Sequence, residues 1–356
     1  MLKTLSRKRT GGFTLIELLV VIAIIALLIG ILLPALSRAR KNAQQIKCGT
    51  QVRGVMQAML NWAQDNKNKF PLPQELDRAN QTLSDIKTKN RTGNIYSLLV
   101  WNQLVTPELL ISPAEVNSAI AALNDYEYTT PQAADTPRFA QWDPRFKGSP
   151  KDKPDGVNAS NWISSEIGHT SYAHAVVGGA RLANWGNTLN ASVPMIANRG
   201  PVYDGDRTPQ NNEAWTLKGA GSGSGGGDPG AGSDTATGIG SQTLLIHGSD
   251  NTWEGNVSFG DGHVEFTTEP DPETATFVDR TQSGSGATEP ISQRDNIFVD
   301  EKNEGSSTAT DAAGAGRRNA YLRIWKKGID SDKAFDAAQH LTAGQNAGYV
   351  WVDGEI

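Results

Sequence analysis

The feature that most constrains this chain is an apolar run near its amino terminus. Leu18 to Leu33 read LLVVIAIIALLIGILL without one polar side chain, and from Phe13 to Leu36 only Thr14, Glu17 and Pro34 interrupt. At ~1.5 Å per residue such a helix crosses a hydrocarbon core of ~30 Å. The run is long for the apolar region of a secretory signal peptide, and it passes into ALSRARKNAQQ with no turn residue after Pro34. It also carries an acid, Glu17, and a carboxylate in hydrocarbon costs roughly 2.5 to 3.5 kcal/mol even on lenient insertion scales. A group kept at that cost calls for a partner or a task.

Charge separates this end from the rest. Lys3, Arg7, Lys8 and Arg9 lie in the first twelve residues, which hold no acid, whereas the whole chain has 33 Lys plus Arg against 38 Asp plus Glu. The remainder is therefore acidic, which argues against a nucleic-acid partner held by phosphate neutralisation. Cys48 is the single cysteine, so an internal disulfide and a Cys-rich zinc site are both excluded. The chain has no G-x-x-x-x-G-K-[ST], G-x-S-x-G or H-E-x-x-H signature, and an enzyme is not expected.

The stretch KRTGGFTLIELLVVIAIIALLIGILLPAL closely resembles the leader and amino-terminal helix of type IV prepilins and type II secretion pseudopilins. The resemblance implies that prepilin peptidase cuts between Gly12 and Phe13 and methylates the new terminus. It also implies that Glu17 and Pro34 are the family's helix glutamate and helix proline. Such processing leaves the apolar rod on the protein. When rods pack into a filament, each Glu17 can neutralise the terminal amine of a neighbour's Phe13. The expected partners are prepilin peptidase, further copies and other pseudopilins, and an inner-membrane assembly platform. The expected location is the inner membrane, single-pass, with a cytoplasmic amino terminus and a periplasmic body that later enters a periplasmic or surface filament.

Beyond Leu36, apolar positions at Ala39, Ala43, Ile46, Gly49, Val52, Met56, Met59 and Ala63 recur every three or four residues and predict an amphipathic continuation over 37–69. Phe70-Pro71-Leu72-Pro73 stops it, and a kink is expected at Gly30 and Pro34. The expected organisation is a leader (1–12), a transmembrane helix (13–36), its amphipathic extension (37–69) and a globular body (70–356) with a flexible Gly/Ser-rich loop at 218–242. In the body, YSLLVWNQL from Tyr96 and SPAEVNSAIAAL from Ser112 read as short helices, the second with a Ser112 to Glu115 capping box. TSYAHAVV, VPMIA, TLLIH, NVSF, HVEF, YLRIW and GYVWV read as strands, with a short helix around Ser331 to His340. The fold class is α+β, a long helix on a small antiparallel sheet.

NVSFGDGHVEF predicts a hairpin with Asp261 and Gly262 as a two-residue type I′ turn, which pairs Phe259 with Val264 and Val257 with Phe266. This segment, with PMIANRGP and DNIFVDE, resembles the carboxy-terminal part of a pseudopilin-like family abundant in planctomycete-type bacteria. In that family a histidine precedes an Asp-Gly pair; here thirteen residues separate His247 from Asp261. His169, His174 and His263 read as core or surface histidines. No cofactor is expected, although Asp204 and Asp206 in YDGDR form a weak calcium candidate, a site type known among major pseudopilins. The function read from the sequence is a structural subunit of a pseudopilus or pilus-like filament. The alternative is a binding or hydrolytic domain anchored by a prepilin leader that never polymerises.

Overall fold

The computed structural model describes residues 14–84, 89–150, 152, 167–204, 215–218, 238–279, 291–299, 320–326 and 350–351. The expected leader with Gly12 and Phe13, Asp206, most of the Gly-rich loop and the helix around Ser331 to His340 lie outside them. The chain divides into two compact units, Met1–Gln44 and Gln45–Ile356.

Helix α1 covers Leu15–Asp65 and contains Pro34 without ending there. Its part in the first unit exposes every large apolar side chain, from 45% at Val21 to 77% at Leu15. Among the described residues it is the one helix long and apolar enough to cross a membrane. In the second unit α1 buries Cys48, Val52, Val55, Met56, Ala58, Met59, Trp62 and Ala63. The expected stripe therefore holds at Val52, Met56, Met59 and Ala63 but departs earlier, where Cys48 is buried and Ile46 is 71% exposed. Small residues explain the shift: Gly49 sits so close to Asn256 that a Cβ there would meet its Oδ1 at 2.7 Å. The helix ends when Lys67 and Asn68 take positive φ, with Asn68 N–H reaching back to the Ala63 carbonyl at 2.9 Å. Trp185 then donates to the Pro71 carbonyl at 3.0 Å and packs edge-on with Phe70.

After a single turn, α2 (Pro73–Leu76), helix α3 (Thr92–Trp101) is buried from Thr92 to Val100 and starts four residues before the expected Tyr96. The main sheet is antiparallel, in the order β10-β9-β1-β2-β5-β6. Its strands are β1 (Tyr172–Ala175), β2 (Pro194–Asn198), β5 (Gly255–Phe259), β6 (Val264–Thr267), β9 (Leu322–Trp325) and β10 (Val350–Trp351). Two small pairs, β3 (Tyr203–Asp204) with β4 (Thr216–Leu217) and β7 (Thr276–Asp279) with β8 (Ile291–Arg294), were not read from the sequence.

Alternation along the strands feeds two cores. Tyr172 and Ile196 join the α1 and α3 side chains in one cluster, while Ala173, Ala197, Val257, Phe259 and Leu322 join Trp253, Ile297 and Phe298 in the other. A bulge between Pro194 and Ile196 inserts Met195, which is also buried in the first cluster.

Three local expectations are corrected. TLLIH forms no strand: Gln242–Leu245 is a 3₁₀ helix whose Ser241 hydroxyl accepts the Thr243 N–H, and Leu245 is left half-exposed. SPAEVNSAIAAL forms turns and no helix. The Ser112 hydroxyl accepts the Ala114 N–H as a cap would, but the Glu115 carboxylate and the Asn117 amide each capture backbone N–H groups two residues on, which competes with a helical ladder.

The third correction is the hairpin register, which slips by one residue. Ser258 pairs with Val264 and Val257 with Glu265, while Phe259 bonds to His263. The loop is three residues long, with a Gly262 N–H to Phe259 carbonyl bond of 2.9 Å and Gly262 at φ +89°. Asp261 has no positive φ, so the turn is type I closed by a glycine bulge. The slip places Phe259 flat against the His263 ring at 4.4 Å and separates Val264, which packs on the first cluster, from Val257 and Phe259 in the second.

Candidate functional site: the amino-terminal helix and its seat

The first described residues form a reciprocal cap. Thr14 donates to the Glu17 carboxylate through its backbone N–H at 2.9 Å and its hydroxyl at 2.8 Å, and the hydroxyl accepts the Glu17 N–H at 3.3 Å. This is a capping box, Thr at the N-cap and Glu three residues on. It gives Glu17 partners within its own chain, and the T-x-x-E pattern that signals it was legible in the sequence. Farther along, Pro34 has no N–H to offer the Gly30 carbonyl, so one helical bond is missing inside the apolar run.

Where α1 meets the sheet, the contact is polar. The Cys48 thiol lies 3.4 Å from Asn198 Oδ1, 3.5 Å from the Ser112 hydroxyl and 3.6 Å from the Tyr172 hydroxyl. Tyr172 donates to Gln51 Oε1 at 3.1 Å, Asn198 accepts the Asn256 N–H at 2.9 Å, and Asn256 reaches the Gln45 carbonyl. Burial pushes the Cys48 thiol above its ordinary pKa despite these hydrogen bonds. It is a protonated packing group with no nucleophilic character at neutral pH.

Beside this seam Glu115 and Arg199 form an ion pair with both side chains under 10% exposed, and the Ser171 hydroxyl donates to Glu115 at 2.7 Å. Burial opposes the charge on Glu115. The Arg199 charge and the hydrogen bonds outweigh it, so the carboxyl sits below its usual range. The Glu115–Arg199 pairing was not read from the sequence, since the partners are 84 positions apart.

The hairpin turn and the histidines carry no assembled chemistry. Asp261 accepts the His263 N–H at 3.0 Å and contacts its Nδ1 at 2.5 Å. Slight burial works against the Asp261 carboxylate, but these bonds hold it below its ordinary value. His247 packs edge-on against Phe266 at 5.9 Å, and burial lowers its pKa to about 4. His169 and His174 are both buried. Asp204 lies on β3, and among the described residues no group of three or more His, Cys, Asp or Glu is placed to hold a metal.

Residues 7–33 match the family described as the prokaryotic N-terminal methylation motif. The chain carries a prepilin-type amino terminus. The matched stretch contains Gly12, Phe13, the Thr14–Glu17 cap and the apolar run, and it ends just before Pro34. It supports a pilin-like protein with one membrane-compatible helix. No curated protein and no solved structure matches the chain.

Proposed function

We propose that the chain is a structural subunit of a type II secretion pseudopilus or a type IV pilus-like filament, cut by prepilin peptidase between Gly12 and Phe13 and assembled through α1. The observation that carries this reading is the lone carboxylate of Glu17 in the first turn of a helix whose apolar side chains are all open from Leu15 to Leu36. An anchor that stays alone in lipid gains from that acid only the Thr14 cap at the helix start, which does not require a charge kept at the edge of the hydrocarbon. In the free subunit the Thr14 cap satisfies Glu17. In a bundle the carboxylate faces the terminal amine of a neighbour's Phe13, so charges that are costly in lipid set the register between subunits. The four basic residues before the cut hold the leader on the cytoplasmic side and place the body in the periplasm. The protein's role in this reading is mechanical and not enzymatic, with further copies, other pseudopilins and an inner-membrane platform as partners.

The experiment is in-cell cross-linking of Glu17→Val. The variant should insert into membranes as well as the parent or better, and should lose the ladder of cross-linked multimers. A normal ladder would refute the register role. Deleting the protein separates the two filament types: a pseudopilin leaves secreted proteins in the periplasm, and a pilin removes surface fibres while secretion continues.

A further inference from the structure

The second core cluster carries an open cavity of about 520 Å³, bordered by Tyr203, Trp215, Ile239, Asn251, Thr268 and Glu269. That is the scale of small-ligand sites, roughly 300–1,000 Å³. Its floor is rigid. Trp253 is 1% exposed, donates its indole N–H to the Arg199 carbonyl at 3.1 Å and packs edge-on against Phe298 at 4.8 Å. Leu217 lies beside it, and Tyr203 and Ile239 pack against this floor while staying partly exposed. The β3–β4 pair sets Tyr203 opposite Leu217, and Trp215, half-buried, immediately precedes β4.

The rim is polar and uncharged where it is unengaged. Ser249 and Thr252 close a tight turn with backbone bonds of 3.2 and 3.4 Å, which holds the exposed Asn251 at its tip. Among the described residues, the Asn251 carboxamide and the hydroxyls of Thr268 and Tyr203 make no hydrogen bond. Among the described residues Glu269 is the one acid of the rim, and it is paired with Arg294 at 2.7 Å.

A wholly apolar ligand would desolvate the Asn251 and Thr268 groups and leave the already desolvated Tyr203 hydroxyl without a partner. An ionic ligand would meet a rim whose acid is already paired. The complementary chemistry is a ring with apolar C–H faces and a girdle of neutral hydroxyls, since aromatic side chains present large flat contact areas beside polar handles. We propose that this cavity binds a neutral saccharide, with Trp215 and Tyr203 against the sugar faces and Asn251, Thr268 and the Tyr203 hydroxyl on its hydroxyls. The inference does not depend on filament assembly, and it gives the body a surface chemistry of its own.

The test is calorimetric titration of the full chain in detergent with hexasaccharides of β-1,4-linked glucose, mannose and N-acetylglucosamine. At least one should bind with a Kd on the order of 1 mM or tighter. Trp215→Ala should weaken it by about tenfold or more, the loss of one stacked aromatic. Tyr203→Phe, which removes a single oxygen and spares the fold, should weaken it by about threefold. His263→Ala, on the distant hairpin turn, should bind as the parent does. Absence of binding to all three sugars would overturn the proposal, and so would equal affinity in the parent and in Tyr203→Phe.

Discussion

His174 should make the body of this protein acid-sensitive by a calculable amount. It is fully buried on β1, where its Nδ1 lies 2.7 Å from the Ala175 carbonyl, which can only accept, so that nitrogen holds the proton. Its Nε2 lies 2.9 Å from the Thr92 hydroxyl, which itself accepts the Trp325 N–H at 2.8 Å and so donates to the ring. Tyr96 and Trp185 close the remaining sides at 5.8 and 5.2 Å. With no charged neighbour to favour the imidazolium, burial lowers the pKa from 6.5 to about 4, and the Ala175 carbonyl offsets this only in part.

The folded value is depressed, so the unfolded chain binds more protons between the two pKa values. The contribution to stability is complete above pH 6.5 and is lost as pH falls toward 4. At about 1.4 kcal/mol per pH unit, the unfolding free energy should fall by about 2 kcal/mol from pH 7 to pH 5 through this group alone, and by about 3 kcal/mol by pH 4. Chemical denaturation of the parent and of His174→Gln in detergent at both pH values measures it. The variant starts less stable at pH 7, but its decline to pH 5 should be shallower by about 2 kcal/mol. Parallel declines, or a titration of His174 near 6.5 by NMR, would refute the argument.

Further outcomes are expected. Intact-mass spectrometry of membrane-extracted protein should show a chain that starts at Phe13 with one added methyl group; a start at Met1 or near Ala39 would contradict the processing. Gly262→Val places a β-branched residue at φ +89° with a Cβ 3.0 Å from Leu60, and should cost about 1 to 3 kcal/mol in thermal melts. Asp261→Asn should be close to neutral, and a calcium-dependent shift in the parent that vanishes in this variant would reveal a ligand at the turn. Glu115→Ala should destabilise by about 3 to 5 kcal/mol by leaving the buried Arg199 charge without its carboxylate, and Glu115→Ala/Arg199→Met should recover part of that loss.

The sequence spoke most clearly where one physical term dominates. Sixteen residues without a polar group admit only a helix, and alternation over TSYAHAVV and HVEF admits little but a strand. Where terms compete, the pattern was ambiguous. TLLIH is too short for periodicity to separate strand from 3₁₀ helix, and the Ser241 cap decided it. The hairpin register hung on whether Gly260 belongs to strand or loop, a difference of one residue that set Glu265, in place of Phe266, opposite Val257. Glu17 stands out in the sequence as a costly charge, yet its nearest partner is Thr14, a local capping residue three positions before it. The Glu115–Arg199 pair and the aromatic cavity join distant segments, and no local pattern announces them.

The edge of the main sheet at β6 bears on how copies of this protein can associate. β6 is four residues long, carries Glu265 and runs into the Pro270 and Pro272 turns, where backbone donors are missing. An edge this short and proline-ended is a poor template for another chain's strand. In the filament reading proposed above, that protection matters, since β-addition between bodies would lock copies together irreversibly. In that reading, with strand addition discouraged at β6, association falls to the apolar helix, whose contacts slide and can be undone.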